Sequence, residues 1–268
     1  MLKVPEKWII IEGESVDKYS DVISQTYQGE REGIVVTGVF SQAEMLALKT
    51  KLATKKTGFY PTPYGETWGK ILVAQGNDKS DYFAAAEKFR AELKEIFPTD
   101  FEATIKSIVS QLSGNKAVEL PREQGRAYTP ATIRFAYPNH GGIPIHLGNE
   151  FLHDSAYNYL KEIAQLVDGL SYFVVVNKAE AGGELILYDL PADRLKKSET
   201  DREKIREAKQ SIDKFPRKII VPDIGDLIIF QGGSILHCIG DILGNETRIT
   251  IGGSLALSRD SEKVYYWS

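Results

Sequence analysis

All four histidines of this 268-residue chain lie in its second half, at His140, His146, His153 and His237. Imidazole is the side chain that most readily holds a transition metal or exchanges a proton near neutral pH, so their settings matter. His146 stands between Ile143-Pro144-Ile145 and Leu147-Gly148-Asn149-Glu150, at what reads as a strand end. His237 closes a run that begins Gly225-Asp226-Leu227-Ile228-Ile229-Phe230, a turn followed by an apolar strand. If the fold brings the two rings together, they can ligate a metal ion. Arg248 follows soon after and opens another apolar strand. A guanidinium there is costly to bury unless it meets a carboxylate, supplied by the protein or by a ligand. Taken singly, each histidine is more often a satisfied core or surface residue, so the weight falls on the combination.

The elements that must position these residues change character along the chain. Gly33–Phe40 is a β-branched run fitting a buried strand, and Ser41 with Glu44 has the spacing of a capping box that starts a helix continued by Met45, Leu48 and Leu52. Residues 57–70 read as an aromatic loop that either packs on itself or walls a pocket. Phe83, Ala86, Phe89, Leu93 and Ile96 recur at helical spacing up to Pro98, and Thr99 with Glu102 suggests a second capping box before the stripe Phe101, Ile105, Ile108, Val109, Leu112. Beyond residue 128 the pattern is of short strands: 131–136, 170–176, 184–188, 218–221, 227–230 and 248–251. The expectation is a single domain over 1–268, mainly β, with a helical N-terminal part at about 41–115. Its core at about 128–260 would be a double-stranded β-helix, the jelly-roll or cupin-like double sheet. Residues 191–215, dense in charges of both signs, read as a solvated helical insertion or a lid.

Composition narrows the function classes. With 33 Lys+Arg against 37 Asp+Glu, the net charge of -4 leaves no basic footprint for nucleic acid or an anionic membrane, so a small-molecule substrate is expected. One cysteine excludes a disulfide framework and a cysteine-rich zinc site and suits a reducing, cytoplasmic location. The only apolar stretch near the N-terminus, Trp8–Ile11, runs straight into Glu12, so neither a signal peptide nor a membrane span is expected.

A jelly-roll core, a histidine at a strand end, a distal histidine after a Gly-Asp-hydrophobic strand and an arginine about ten residues later resemble the non-haem iron(II), 2-oxoglutarate-dependent oxygenases. Iron(II) in such enzymes needs a facial ligand set that leaves adjacent positions open for the bidentate co-substrate and for O2. The strand arginine offers a planar fork to the distal carboxylate of 2-oxoglutarate. In the ordinary oxygenase a carboxylate ligand lies two residues after the first histidine, and here that position is Gly148. Alone, it is a turn glycine; beside His146, it leaves a coordination position that a halide could take.

The chain further resembles the free-standing halogenases of cyanobacterial indole-alkaloid pathways, the hapalindole, ambiguine and welwitindolinone chlorinases. The resemblance runs from about Gly33 to Ser268 and includes Tyr128-Thr129-Pro130-Ala131-Thr132-Ile133-Arg134, His146-Leu147-Gly148-Asn149-Glu150-Phe151, Leu170-Ser171-Tyr172-Phe173 and Ala181-Gly182-Gly183-Glu184-Leu185. Gly225–Phe230, Gly244-Asn245, Arg248 with Thr250-Ile251-Gly252-Gly253, and Tyr265-Tyr266-Trp267-Ser268 complete it. It implies that His146 and His237 ligate iron(II), that Gly148 makes room for chloride, and that Arg248 anchors 2-oxoglutarate. It further implies that Ser171 is a hydroxyl beside the metal favouring halide over hydroxyl transfer, and that Ile143, Phe151 and the Tyr64 region line the substrate pocket. The implied reaction consumes 2-oxoglutarate, O2 and chloride and chlorinates an unactivated aliphatic carbon of a free molecule, with no carrier protein.

The neighbouring residues have plainer readings. Glu150 is read as a surface or supporting residue rather than a substitute ligand, and Cys238 as packing on the face opposite His237. His140 and His153 read as loop or surface residues. Arg134 is either a structural ion-pair residue or a second contact near the co-substrate, with the structural reading favoured. The rival functions are a 2-oxoglutarate-dependent hydroxylase and a non-catalytic cupin-like binding protein.

Overall fold

The computed structural model describes residues 4–73, 75–190, 206–207 and 209–268. In chain order its elements are β1 (Trp8–Glu12), α1 (Val22–Tyr27), β2 (Gly33–Thr37), α2 (Gln42–Ala53), β3 (Phe59–Thr62), β4 (Gly65–Trp68), α3 (Ser80–Ile96), α4 (Phe101–Leu112) and β5 (Ala117–Glu119). They continue with β6 (Arg122–Glu123), β7 (Arg126–Ala127), β8 (Thr132–Ala136), α5 (Asn158–Ile163), β9 (Leu170–Asn177), β10 (Ala181–Gly182), β11 (Leu185–Tyr188) and β12 (Arg217–Ile220). The last are β13 (Leu227–Phe230), β14 (His237–Ile239), β15 (Ile242–Leu243), β16 (Arg248–Leu257) and β17 (Lys263–Trp267).

A ten-stranded mixed sheet runs in the order β1-β2-β13-β9-β16-β8-β4-β3, with β17 paired to β16 and β5 to β17. A smaller antiparallel sheet, β12-β11-β14, faces part of it. Both faces of the large sheet are covered, which is why its strands read as nearly continuous apolar runs. Alternate residues such as Ile34, Ile133, Val174, Ile229 and Ile251 pack on Met45, Leu48, Phe89 and Ile105 of the helices. The residues between them, among them Val35, Phe173, Val175, Ile228 and Phe230, pack on Leu185, Leu187 and Ile239 of the small sheet. Period-two alternation thus assigns one set of side chains to the helical layer and the other to the space between the sheets, where the site lies.

The sequence expectations hold unevenly. The Ser41 capping box is present, with the Ser41 side chain accepting from the Glu44 N–H and the Ser41 N–H donating to the Glu44 carboxylate. The second box is not: Asp100, not Thr99, caps α4, and Glu102 instead turns inward to a fork-to-fork pair with Arg90, both contacts 2.8 Å, and to the Tyr266 hydroxyl. Nor is the N-terminal part simply helical. Strands β1 and β2 precede α2, the stretch 57–70 is not a loop but the hairpin β3–β4 at the sheet edge, and α5 lies in the second half. Cross-strand bonding to β8 overrides the Pro and Gly signals there. The charged insertion expected at 191–215 falls mostly on residues outside those described.

One tie fastens the helical layer beneath the site. The buried Tyr82 hydroxyl of α3 donates to the Ser268 main-chain oxygen at 2.6 Å and accepts from the Thr129 N–H at 3.1 Å. Tyr82→Phe is expected to leave the Ser268 main-chain oxygen and the Thr129 N–H without this partner and to cost about 2–4 kcal/mol, read as a lower urea midpoint with unchanged slope.

Candidate active site

Eight residues singled out in the sequence line one cavity of about 540 Å³: Tyr64, Ile143, His146, Gly148, Phe151, Ser171, His237 and Arg248. His146 and His237 meet through an isolated two-residue bridge, each backbone N–H donating to the other's carbonyl at 2.9 and 3.1 Å. Their ring centroids are 4.2 Å apart. The two rings are also oriented alike. Nδ1 of His146 lies 2.8 Å from the Pro144 carbonyl, and Nδ1 of His237 lies 2.8 Å from the Ile235 carbonyl. A carbonyl only accepts, so the proton sits on Nδ1 and the Nε2 lone pair of each ring is left bare. Burial pushes His237 well below the ordinary imidazole range, helped by His146 beside it, and lowers His146 as well, against the opposing pull of the Pro144 carbonyl. Both rings are therefore neutral at neutral pH, the state that ligates a metal. Two bare imidazole nitrogens beside open space, with no Asp, Glu or Cys among the described residues that line it, suit a divalent transition metal with exchangeable positions. Among the described residues, no set of three or more His, Cys, Asp or Glu is placed to hold a metal ion.

Gly148 opens the 3-10 turn Gly148–His153, and its N–H donates to the Gly232 carbonyl at 2.7 Å. Its φ is outside the left-handed region, so the backbone does not demand glycine there. A Cβ at this position would stand 3.1 Å from the Gly232 oxygen, a tight contact that needs this backbone to give by a few tenths of an ångström. Glu150 is engaged elsewhere: its carboxylate accepts from the Leu147 N–H at 2.8 Å and pairs with Lys209 at 2.8 Å, tying down the turn that carries Gly148 and Phe151. Cys238 packs with Leu147, Tyr188 and Leu236 on the other side of β14. His140 and His153 are exposed.

Ser171 and Arg248 come from the large sheet. Ser171 lies opposite Phe230 on one side and Ser254 on the other. The Phe230 ring stands edge-on to His237 with centroids 4.9 Å apart, which puts Ser171 at the imidazole end of the cavity. Arg248 is 6% exposed, with its guanidinium 5.5 Å from the Phe173 ring centroid. Burial, with Arg134 nearby, pushes its pKa down to about 10, so it stays charged at neutral pH.

Sequence reasoning missed several walls of the cavity. Leu72, Leu152, Tyr157, Leu166 and Trp267 look like ordinary core residues because their facing the cavity depends on loop paths. It also missed why Gly232 is glycine. A Cβ there would lie 2.0 Å from the Ser171 hydroxyl oxygen and 2.7 Å from its Cβ. Gly232→Ala is expected to push Ser171 off its rotamer and to disturb the Gly148 contact, at about 1–3 kcal/mol in stability, checked by thermal unfolding.

In overall architecture the chain is similar to solved 2-oxoglutarate-dependent enzymes. An N-substituted L-amino acid dioxygenase from Burkholderia ambifaria AMMD superposes with TM-score 0.57 at 15% identity, covering 94% of this chain and 91% of its own. The alpha-ketoglutarate-dependent carbocyclase SnoK from nogalamycin biosynthesis superposes with TM-score 0.50 at 12% identity, covering 87% and 85%. At such identities these likenesses show the fold alone. Among curated proteins none matches the sequence. The family model that matches nearly the whole chain makes the protein a halogenase. More narrowly, it belongs to the WelO5 family of carrier-protein-independent halogenases, whose model matches residues 5–268.

Proposed function

We propose that the protein is a radical halogenase that places chlorine, or bromine, on an unactivated aliphatic carbon of a free, largely apolar small molecule such as an indole alkaloid. On this reading His146 and His237 hold iron(II) through Nε2, Arg248 anchors the outer carboxylate of 2-oxoglutarate, and the core is a jelly-roll. When bound, iron(II) with 2-oxoglutarate and O2 supplies an oxidant strong enough to take hydrogen from such a carbon. The observation that carries the reading is Gly148. It lies on the cavity wall two residues after His146, its backbone does not require glycine, and none of the described acidic residues replaces the missing ligand. That leaves room at the metal for a halide.

The rest of the chain's contribution is geometric. Nδ1 contacts to Pro144 and Ile235 fix both rings before the metal arrives, which removes an ordering cost from binding. The Ser171 hydroxyl at the imidazole end can orient oxygen ligands by hydrogen bonding. Ile71, Leu72, Ile143, Phe151 and Leu152 offer apolar surface that excludes water and holds a hydrophobic substrate, with Tyr64 at the edge formed by the hairpin. No helix among the described residues is long and apolar enough to cross a membrane.

The test is incubation of the purified protein with iron(II), 2-oxoglutarate, O2 and either chloride or bromide against a panel of free polycyclic substrates. Products carrying the supplied halogen, with stoichiometric succinate, are expected. A product that is only hydroxylated under saturating halide would overturn the halogenase reading and leave a hydroxylase.

A further inference from the structure

The cavity holds a second arginine. Arg134 lies on β8 directly opposite Thr250 of β16, while Arg248 lies opposite Ala136, so the two arginines are diagonal neighbours on the face that points between the sheets. Both line the cavity, and among the described residues neither has a hydrogen bond or an ion pair with a protein group. No Asp or Glu is among the described residues lining that cavity. The ion-pair reading of Arg134 from the sequence is therefore not met. Two like charges on adjacent strands, partly desolvated and with no carboxylate side chain among the described residues that line the cavity, repel each other and disfavour the empty site. A ligand with two negative charges resolves the conflict.

The register also orders the charges. Along β16 the Arg248 row comes first, then the Thr250 row shared with Arg134, then the Ser254 row shared with Ser171. Ser171 marks the imidazole end, through Phe230 packed on His237. Arg134 thus stands between the outer anchor and the imidazole pair.

We propose that Arg134 is a second carboxylate anchor, holding the inner, metal-side carboxylate of the 2-oxo acid while Arg248 holds the outer one. The inference rests on the reading of the site as a 2-oxoglutarate site and adds that the co-substrate is gripped at both ends by guanidinium groups. Arg134 is a positioning residue for the co-substrate: it would hold the inner carboxylate on the imidazole side of Arg248.

Three ligands separate the two anchors: 2-oxoglutarate, with both carboxylates; 2-oxopentanoate, with only the inner one; and 4-oxopentanoate, with only the outer one. Binding is measured on the full chain loaded with zinc(II), by calorimetry for the first two and by ligand-observed NMR for the third, so that no turnover is involved. Arg134→Gln is expected to weaken 2-oxoglutarate and 2-oxopentanoate about ten- to a hundred-fold and to leave 4-oxopentanoate unchanged. Arg248→Gln is expected to weaken 2-oxoglutarate and 4-oxopentanoate and to spare 2-oxopentanoate. General damage to the site would weaken all three ligands together. If Arg134→Gln fails to fold, Arg134→Lys, which keeps the charge and loses the fork, should show the same pattern with a smaller loss. Wild-type affinity of the Arg134 variant for 2-oxoglutarate and 2-oxopentanoate, or an equal loss of all three ligands, would overturn the proposal and leave the proposed function standing. Failure of wild type to bind 2-oxoglutarate at all would remove the reading on which it rests.

Discussion

Gly148→Asp is expected to convert the enzyme from halogenation toward hydroxylation, with the halogenated product falling more than about ten-fold. The position lies on the cavity wall two residues beyond His146, where a carboxylate completes a facial set of two imidazoles and one oxygen. Its backbone φ accepts a side chain, and the new Cβ needs the Gly232 carbonyl to yield only a few tenths of an ångström from 3.1 Å. The filled position then excludes the halide. Two readouts check this. Chloride titration under argon should perturb the iron(II)–2-oxoglutarate charge-transfer band in wild type and leave the variant's band unmoved, and the product ratio should shift from halogenated to hydroxylated. Gly148→Ala, which adds the same Cβ without a ligand, separates crowding from ligation because it should keep the chloride response. Unchanged chlorination in the aspartate variant would contradict the role given to Gly148.

His237→Ala is expected to abolish the charge-transfer band and to lower iron(II) affinity by more than about a hundred-fold, the upper range for losing a mere outer-shell partner of a metal. One imidazole of two remains, so chelation is lost. The same variant should change the pH dependence of the metal-free protein. Burial holds both imidazoles below the ordinary value of 6.5, so the unfolded chain takes up protons there before the folded one does. Stability of wild type is therefore fully present above that value and declines as the pH falls through it, with each histidine contributing at most about 1.4 kcal/mol per pH unit. Removing His237 removes the larger of the two contributions, and urea unfolding between pH 7 and pH 5 should show a shallower decline. A band of wild-type intensity in this variant would rule out His237 as a ligand.

Parts of the fold were readable because local chemistry decides them. Ser41 and Glu44 make a reciprocal cap wherever a helix follows, and the apolar stripe from Phe83 to Ile96 buries one helical face whatever covers it. The hairpin at 59–68 was not readable. Pro61 and Gly65 argue against strands locally, and the strands form because β4 pairs with β8 and β3 then pairs with β4. Glu102 misled for a similar reason: its spacing from Thr99 suits a cap, whereas Arg90 and Tyr266, both brought by tertiary packing, offer its carboxylate stronger partners.

The sequence by itself determined which groups can do chemistry here: two imidazoles in strand-end settings, an arginine on an apolar strand and a glycine where a carboxylate could have stood. Side-chain type and short-range spacing suffice for that, because they depend on covalent chemistry and on the period of the strand. Only the tertiary structure decided that His146 and His237 share a backbone bridge, that both rings turn Nε2 into one cavity, and that Arg134 and Arg248 face it with no Asp or Glu among the described residues of its lining. Those facts depend on sheet register between segments far apart in the chain, where a shift of one residue would turn each side chain to the opposite face.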